Sequence, residues 1–266
     1  MDIHERTLAS LRGLIDDPNA SNFDKIQSAL RLCARHRAHL LANTLVHSGG
    51  LTVRSGPFAG MVIPRRVAEG CFVPKLLGCY EAELHPVIDY IRERQHQNIL
   101  NIGCAEGYYA IGLARLLPNS QIWAYDTDEQ AQTACADLAV ENGMRDRISI
   151  SGTFTHEDFA TFPAGDTMVI CDIEGAEHDL LDPEKAPALA GFDIQLELHR
   201  RFEAPQIQEL LSRFSETHEI RKILPSVRDI EAYPEIRNLA HLDQLLAFWE
   251  FRRGPNPWVF MTALHT

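Results

Sequence analysis

Short apolar runs alternate with longer amphipathic stretches through most of the chain from residue 98 onward. Seven runs have the length and the β-branched or aromatic content of strands. They lie at 99–102, 121–125, 148–150, 167–171, 192–198, 219–224 and 258–263. Helical periodicity fills several intervals, at 108–117, 128–142 and 205–216. Because strands that alternate with helices pair in parallel through right-handed crossovers, the pattern predicts a doubly wound, mostly parallel seven-stranded α/β sheet.

The N-terminal part of the chain has a helical pattern instead. Leu8, Leu11 and Leu14 recur at helical spacing, an Asp-Pro-Asn sequence breaks the pattern, and a second helix is predicted from about residue 24 to 46. Short β-type runs around a Gly-Pro turn then predict a hairpin over 51–64.

Two further helices are predicted from the same periodicity. One spans 75–94 and leads into the first strand, and the other spans 239–251 and interrupts the connection between the last two strands. We therefore divide the chain into a helical N-terminal cap with a β-hairpin, residues 1–70, and a main α/β domain, residues 71–266.

The net charge of the chain indicates which classes of binding partner to expect. The chain has 37 acidic and 25 basic residues, a formal net charge of -12. An acidic protein repels phosphate backbones, so nucleic acid is disfavoured and a small-molecule partner is expected. Basic side chains crowd residues 31–39; we favour a solvated face there over an anion site. No apolar run reaches the roughly 18 residues of a membrane helix, so no membrane partner is expected.

The cysteines indicate the compartment. There are six, and none belongs to a CxxC pair. Several fall inside apolar segments, which is typical of reduced, buried thiols, although a disulfide framework or zinc cluster remains an alternative. The first residues also lack the basic region and apolar core of a signal peptide. We therefore expect a cytoplasmic protein.

A glycine-rich turn is the most informative sequence feature. Asn101-Ile-Gly103-Cys-Ala105-Glu-Gly107-Tyr108 follows a predicted strand and opens a helix, where free N–H groups and absent Cβ atoms admit a ligand. Asp126 ends the next strand, where an acid can accept hydrogen bonds from ribose hydroxyls. The spacing is neither G-x-G-x-x-G nor a P-loop, so adenosine with an amino-acid tail fits better than a pyrophosphate. A turn that needs glycine only for packing is the alternative.

This turn resembles motif I of class I S-adenosylmethionine-dependent methyltransferases. The wider pattern is similar to the FkbM-like branch, on the turn, on Ser55-Gly-Pro-Phe-Ala-Gly-Met61 and on Asp172-Ile-Glu174-Gly-Ala-Glu177, over residues 50–200. The resemblance implies a Rossmann-like methyltransferase fold, S-adenosyl-L-methionine as cofactor and methyl transfer to a small molecule, often to oxygen. The family usually has an acid two residues before the first glycine, where this chain has Asn101.

The cofactor-binding residues are expected at the carboxyl ends of the strands and on the preceding helix. They are Glu81, Asn101, Gly103, Ala105, Gly107, Tyr108, Asp126, Thr127, Gly152, Thr153 and Asp172. Glu81 and His85 are four residues apart and would share one face of the helix over 75–94.

Polar side chains also follow two strands that should be neighbours. Asp172 and Glu174 follow the run 167–171, and His199 follows the run 192–198, with Gln195, Glu197 and His199 on one face of that strand. For a hydroxyl acceptor, His199 could act as general base. Alternatively, Asp172, Glu174 and His199 could hold Mg²⁺ or Mn²⁺, which would lower the pKa of the acceptor. A third reading makes the three side chains orient substrate or stabilise loops.

The sequence therefore predicts a transferase, an S-adenosylmethionine-dependent methyltransferase acting on a small molecule, at oxygen. The alternatives are an RNA or protein methyltransferase, a non-catalytic protein that binds an adenosyl ligand with the same fold, and a dinucleotide oxidoreductase, which the glycine spacing disfavours. A homodimer is left open.

Overall fold

The computed structural model describes residues 2–64, 71–199, 204–252, 254 and 256–264, with only the backbone of residue 204. Within these residues no helix is both long and apolar enough to cross a membrane. The proposed domain boundary at residue 70 lies outside the described residues, so the division into cap and main domain stays a prediction.

Seven strands form one sheet. They are β1 Asn98–Ile102, β2 Gln121–Tyr125, β3 Ile148–Ser151, β4 Thr167–Cys171, β5 Asp193–Glu197, β6 His218–Ile223 and β7 Trp258–Ala263. Their order is β3-β2-β1-β4-β5-β7-β6; β7 runs antiparallel to both of its neighbours and the other pairs are parallel. The prediction of a mostly parallel, seven-stranded sheet is confirmed. The strand order reverses between β1 and β4, which is where such sheets bind ligands.

Helices lie before the sheet and between its strands. They are α1 Ile3–Asp16, α2 Asn22–Gly49, α3 Phe72–Leu77, α4 His85–Arg94, α5 Tyr108–Leu116, α6 Glu129–Glu141, α7 Glu177–Leu180, α8 Ala204–Ser212 and α9 His241–Ala247. The predicted N-terminal helices are present, and α2 packs on the rest of the molecule through buried Ala38, Leu41 and Leu45.

Alternation along the strands divides the core between the two faces of the sheet. Ile99 and Met168 belong to the apolar cluster beneath α5, whereas Leu100 and Val169 belong to the cluster on the opposite face. Because successive side chains of a strand point to opposite faces, Asn101 lies on the α5 face with Ile99. The carboxyl ends of β1, β2 and β4 are level, since Ile102 pairs with both Tyr125 and Cys171.

The predicted helix over 75–94 is wrong, because the chain breaks it between α3 and α4. Gly78 adopts a left-handed conformation with φ of 82°, and a Cβ there would overlap the carbonyl oxygen of Ser55. Glu81 is also left-handed, with φ of 47°. Glu81 and His85 therefore do not share a helix face. Ser55 Oγ donates to the carbonyl of Leu77 at 2.6 Å, so the segment before α3 holds this turn in place.

Two other predicted elements are shorter than expected. The hairpin over 51–64 contains a single antiparallel bridge, between Thr52 and Val62. The helix predicted over 239–251 is reduced to α9, which ends before Phe248; beyond it Trp249 stacks on Phe251 with ring centroids 4.2 Å apart. Aromatic packing thus replaces the last helical turns.

Candidate functional site

The glycine turn between β1 and α5 is held by packing on two sides. A Cβ at Gly103 would overlap the backbone carbonyl of Asp172, and one at Gly107 would lie 2.7 Å from Cys135 Sγ. Both glycines have positive φ angles, as does Ala105 at 47°. Packing alone therefore accounts for glycine at 103 and 107, and evidence for a ligand has to come from the side chains around the turn.

Asp126, at the end of β2, is tied to this turn. Its carboxylate accepts hydrogen bonds from the backbone N–H of Ala105 at 2.9 Å and of Asp128 at 3.0 Å. An ionised carboxylate can accept about four hydrogen bonds, so two backbone donors do not saturate it. Asp126 thus both supports the turn and presents acceptor capacity to the space beside it.

A cavity of about 570 Å³ opens beside Asp126 along the carboxyl edge of the sheet. Its size lies in the range of small-molecule sites. Its walls include the following residues that the sequence predicted to bind cofactor: Gly103, Asp126, Thr127, Gly152, Thr153 and Asp172. Phe154 supplies an apolar wall next to them. This part of the predicted site is brought together by the fold.

A second, much smaller cavity of about 50 Å³ lies on the other side of the glycine turn. Four of the five remaining predicted cofactor residues line this cavity: Glu81, Asn101, Ala105 and Tyr108. Gly103 and Asp172 line both cavities, so the two spaces meet at these residues. Gly107 lines neither cavity.

Asn101 faces the smaller cavity with an unsatisfied acceptor. The residue is 3% exposed, and its Oδ1 atom has no hydrogen-bond partner. Leaving a buried amide oxygen unpaired costs free energy, and such atoms are rare in folded proteins. A donor supplied by a ligand would remove this cost.

Two carboxylates that line the smaller cavity, Glu81 and Glu197, belong to an ion-pair network centred on Arg252. Arg252 contacts Glu81 and Glu197, and its Nε donates to Glu250 at 3.0 Å. Burial raises the pKa of Glu81 to about 7; Glu197 adds to this effect and Arg252 opposes it. Sequence reasoning missed Arg252 and this network, because its members come from three distant segments of the chain.

The side chains of Asp172, Glu174 and His199 converge beside the larger cavity. Their ligand-type atoms lie within 4.8 Å of one another, with His199 Nε2 at 3.4 Å from Asp172 Oδ1 and 3.5 Å from Glu174 Oε2. Parallel pairing of β4 and β5 places them together, as the sequence predicted. Gln195 and Glu197 line the smaller cavity instead. The polar side chains predicted on one face of β5 are therefore divided between the smaller cavity and the His199 cluster.

Glu177 lies behind His199 and is completely buried. Its Oε1 is 3.0 Å from His199 Nδ1 and also accepts a hydrogen bond from the backbone N–H of Ile173 at 2.9 Å. The two atoms are within ion-pairing distance, but His199 Nδ1 makes no hydrogen bond there, so Glu177 acts on the ring through its charge. Burial lowers the pKa of His199, but Glu177 and Asp172 outweigh it and raise the pKa to about 9.

No protein-family model matches the sequence, and no protein of curated function matches it. Solved structures with a similar fold include an O-methyltransferase of Streptomyces achromogenes involved in tomaymycin synthesis, in complex with SAM, at 14% identity over 86% of this chain and 90% of that chain, with a TM-score of 0.46. An O-methyltransferase of Bacillus cereus in complex with SAH matches at 12% identity over 98% and 99% of the two chains, with a TM-score of 0.46.

A precorrin-6y C5,15-methyltransferase of Geobacter metallireducens matches at 13% identity over 68% of this chain and 88% of that chain, with a TM-score of 0.44. At such identities and TM-scores these structures are reported only as similar. The sheet itself, with seven strands and an antiparallel β7 between β5 and β6, has the doubly wound, mostly parallel α/β topology expected from the sequence.

Proposed function

We propose that this protein is an S-adenosylmethionine-dependent methyltransferase that methylates a small molecule at oxygen. One observation carries the proposal: two cavities meet at Gly103 and Asp172, one beside a strand-ending acid and the other beside a buried, unpaired amide oxygen. An adenosine with an amino-acid tail has the two parts that this pair of spaces would accommodate. Asp126 would hold the ribose, and Asn101 would face the tail.

The cofactor supplies an electrophilic methyl group, so the protein's task is alignment. In-line displacement at carbon gains most from holding the two reactants in a reactive geometry. Gly103 and Asp172, at the junction of the cavities, are the groups next to which the central part of the cofactor would lie. This arrangement leaves the cluster of Asp172, Glu174 and His199 for the acceptor.

We further propose that Asp172, Glu174 and His199 hold a divalent cation of the Mg²⁺ or Mn²⁺ type. Three carboxylates surround one imidazole, when Glu177 is included, and a divalent cation would balance their excess negative charge. Oxygen and imidazole ligands suit such ions. The cation would supply a Lewis acid that lowers the pKa of an acceptor hydroxyl. His199 acting as general base is the second candidate, because it contacts Asp172 and Glu174, which line the larger cavity. Since its pKa is raised to about 9, it would accept a proton only in its neutral form, and the rate would rise with pH up to that value.

The finer assignment to the FkbM-like branch is also a proposal. It is supported by Asp172-Ile-Glu174-Gly-Ala-Glu177, whose three acids all take part in the His199 cluster. It is supported as well by the Ser55–Met61 segment, in which Phe58 packs over Gly112 of α5.

Calorimetry with S-adenosylhomocysteine and with NAD tests the proposal. We expect S-adenosylhomocysteine to bind with one-to-one stoichiometry and NAD to give no heat of binding. Binding of NAD without the adenosyl ligand would overturn the assignment and favour the oxidoreductase.

Titration with Mn²⁺, followed by electron paramagnetic resonance, tests the cation site separately. The wild type should bind Mn²⁺, whereas the His199→Gln variant should lose this binding. Glu157→Gln, which removes an exposed carboxylate elsewhere, is the matched control and should bind as the wild type does. Equal binding by all three proteins would remove the cation from the mechanism and leave the general-base alternative.

A further inference from the structure

Helix α2 buries its apolar stripe along only half of its length. In the second half of the helix, Leu41 and Leu45 are buried in the protein core. The stripe continues at helical spacing into the first half, through Ala34, Leu30 and Phe23. There it is uncovered, since Leu30 is 63% exposed and Phe23 is 71% exposed.

Helix α9 lies beside this uncovered stripe and extends the apolar surface. A groove of about 410 Å³ separates the two helices; Leu30 and Ala34 of α2 line it together with Leu245 and Leu246 of α9. Five large apolar side chains of the two helices are more than half exposed, and we call them the α2/α9 surface: Phe23, Ile26, Leu30, Leu242 and Leu245. Exposed apolar side chains that cluster in this way are typical of interaction sites.

Contacts within the chain hold the groove in this shape. Arg37 of α2 donates two hydrogen bonds, at 2.7 Å and 2.6 Å, to the buried carboxylate of Asp243 on α9. Helix α1 packs on another face of α2, where Thr7 Oγ1 lies 3.0 Å from His36 Nδ1. Because α9 is fastened and α1 is placed elsewhere, we expect the cover of this surface to come from another molecule.

The charges on α2 indicate which molecule that is. Asp24 follows Phe23, and Arg31 follows Leu30, exactly seven residues further along the helix. Residues seven apart share a helix face and lie about 10 Å apart along the axis. The exposed half of α2 therefore has an apolar and acidic end and an apolar and basic end.

Such an order is complementary to itself. When two copies of a helix pack antiparallel about a two-fold axis, each end of one helix meets the opposite end of the other. With the axis near Gln27, Phe23 would meet Leu30 of the second copy, and Asp24 would meet Arg31 of the second copy. Each contact would occur twice.

We propose that the α2/α9 surface binds a second copy of this chain, in a two-fold dimer with the exposed halves of the two α2 helices antiparallel. A net charge of -12 on each chain opposes close approach, and the Asp24–Arg31 pairs would offset this repulsion at the interface. The inference does not depend on the proposed function. The groove borders the candidate site, however, because Arg252 lines the groove and contacts Glu81 and Glu197 of the smaller cavity.

Sedimentation velocity tests the apolar part of the interface. The wild type should be a dimer at about 10 μM, because standard-size interfaces have Kd values of micromolar or below. Leu30→Arg should raise the dimer Kd by about 30-fold or more, since a central apolar contact is lost twice. Val140→Arg, at a side chain of α6 that is 62% exposed, is the matched control and should sediment as the wild type does.

A charge exchange tests the antiparallel pairing. Asp24→Arg and Arg31→Asp should each be mainly monomeric, because each places like charges opposite one another in its own dimer. An equimolar mixture of the two variants should form a heterodimer, in which both pairs again join opposite charges. Thermal unfolding checks that each variant is folded.

Three results would overturn the proposal. One is a monomeric wild type at that concentration, which would leave the surface to a different partner. Another is a dimer that Leu30→Arg does not weaken, which would place the interface elsewhere on the protein. The third is a charge exchange in which the mixture associates no better than either folded variant alone.

Discussion

Two histidine–carboxylate clusters lie at opposite ends of β5 and differ in how their charges are satisfied. At the start of the strand, Asp193 accepts from His96 at 2.8 Å, from the Tyr90 hydroxyl at 2.9 Å and from the backbone N–H of Ala263 at 2.9 Å. Past the end of the strand, His199 faces several carboxylates, and the side chain of Glu174 is 70% exposed. The first cluster is closed, and the second is open to the larger cavity.

The contrast fits a structural use of the first cluster and the functional use that we propose for the second. In the first cluster the Asp193 carboxylate meets three donors inside the protein, so its charge is satisfied, while His96 Nδ1 has no hydrogen-bond partner. In the second cluster three acids compete for one imidazole, and the excess charge is turned toward a space that a ligand can enter. The count of carboxylates against donors at each end therefore supports the site that we propose for the chemistry.

Replacing His199 should give the largest effect. We expect His199→Ala to lower turnover by about 10²–10⁴-fold, whether the residue holds a cation or acts as general base. The rate is measured with an acceptor found by screening hydroxylated small molecules against radiolabelled S-adenosylmethionine. His96→Ala is the matched control and should keep the turnover of each folded molecule. Near wild-type turnover in His199→Ala would make the second cluster structural as well.

Asp126 supports the glycine turn and, in our proposal, also binds the ribose. Its replacement should therefore have an intermediate effect. We expect Asp126→Ala to weaken S-adenosylhomocysteine binding by about 10- to 150-fold, because a charge-assisted hydrogen bond to the ribose is lost. Thermal unfolding of the same variant should show a loss of stability, since the backbone N–H groups of Ala105 and Asp128 lose their acceptor. A variant that unfolds earlier and yet binds with unchanged affinity would show that Asp126 only supports the turn.

Glu177 tests whether the open cluster depends on the buried carboxylate next to His199. Glu177→Gln should lower the affinity for Mn²⁺ by about 10- to 100-fold, the usual effect of removing a carboxylate behind a metal-binding histidine. The measurement is the Mn²⁺ titration described above. Unchanged affinity would mean that Glu177 stabilises only the backbone at Ile173.

The first cluster, around Asp193, should contribute to the free energy of unfolding and to its dependence on pH. Burial alone would raise the pKa of Asp193, but the hydrogen bonds from His96, Ala263 and Tyr90 lower it. A lowered pKa stabilises the fold above the unfolded-state pKa of about 3.9, and this stabilisation is lost as pH falls through the folded-state pKa.

Asp193→Asn should therefore cost about 1–3 kcal/mol at neutral pH, the range for a buried group that loses its partner, and should flatten the acid side of the stability curve. Chemical unfolding at several pH values measures both. Turnover should not change. An equally steep acid limb in the variant would place the responsible carboxylate elsewhere.

Much of the sheet was predictable because its strands are short, apolar and bounded by turns. The predicted limits of 121–125, 167–171 and 258–263 coincide with β2, β4 and β7. The helix over 75–94 was mispredicted because its periodicity says nothing of tertiary contacts, and the approach of Ser55 to Gly78 is what forces the break.

The candidate site also has one part that the sequence predicts and one part that it does not. Asp172, Glu174 and His199 could be predicted to converge, because the carboxyl ends of neighbouring parallel strands meet at one edge. The pairing of Lys75 with Glu106 could not, since the two residues come from separate elements and only the folded chain shows their contact. Glu106 inside the glycine turn was the one available signal, because a charged residue there needs a partner.

The most direct test of the account is a crystal structure of the protein with S-adenosylhomocysteine and Mn²⁺. It should show the adenosine in the larger cavity with its ribose hydroxyls on Asp126. The amino-acid tail should lie beside Asn101 in the smaller cavity, and anomalous scattering from Mn²⁺ should appear beside His199. Ligand density elsewhere on the protein, with both cavities unfilled at saturating ligand, would contradict the account.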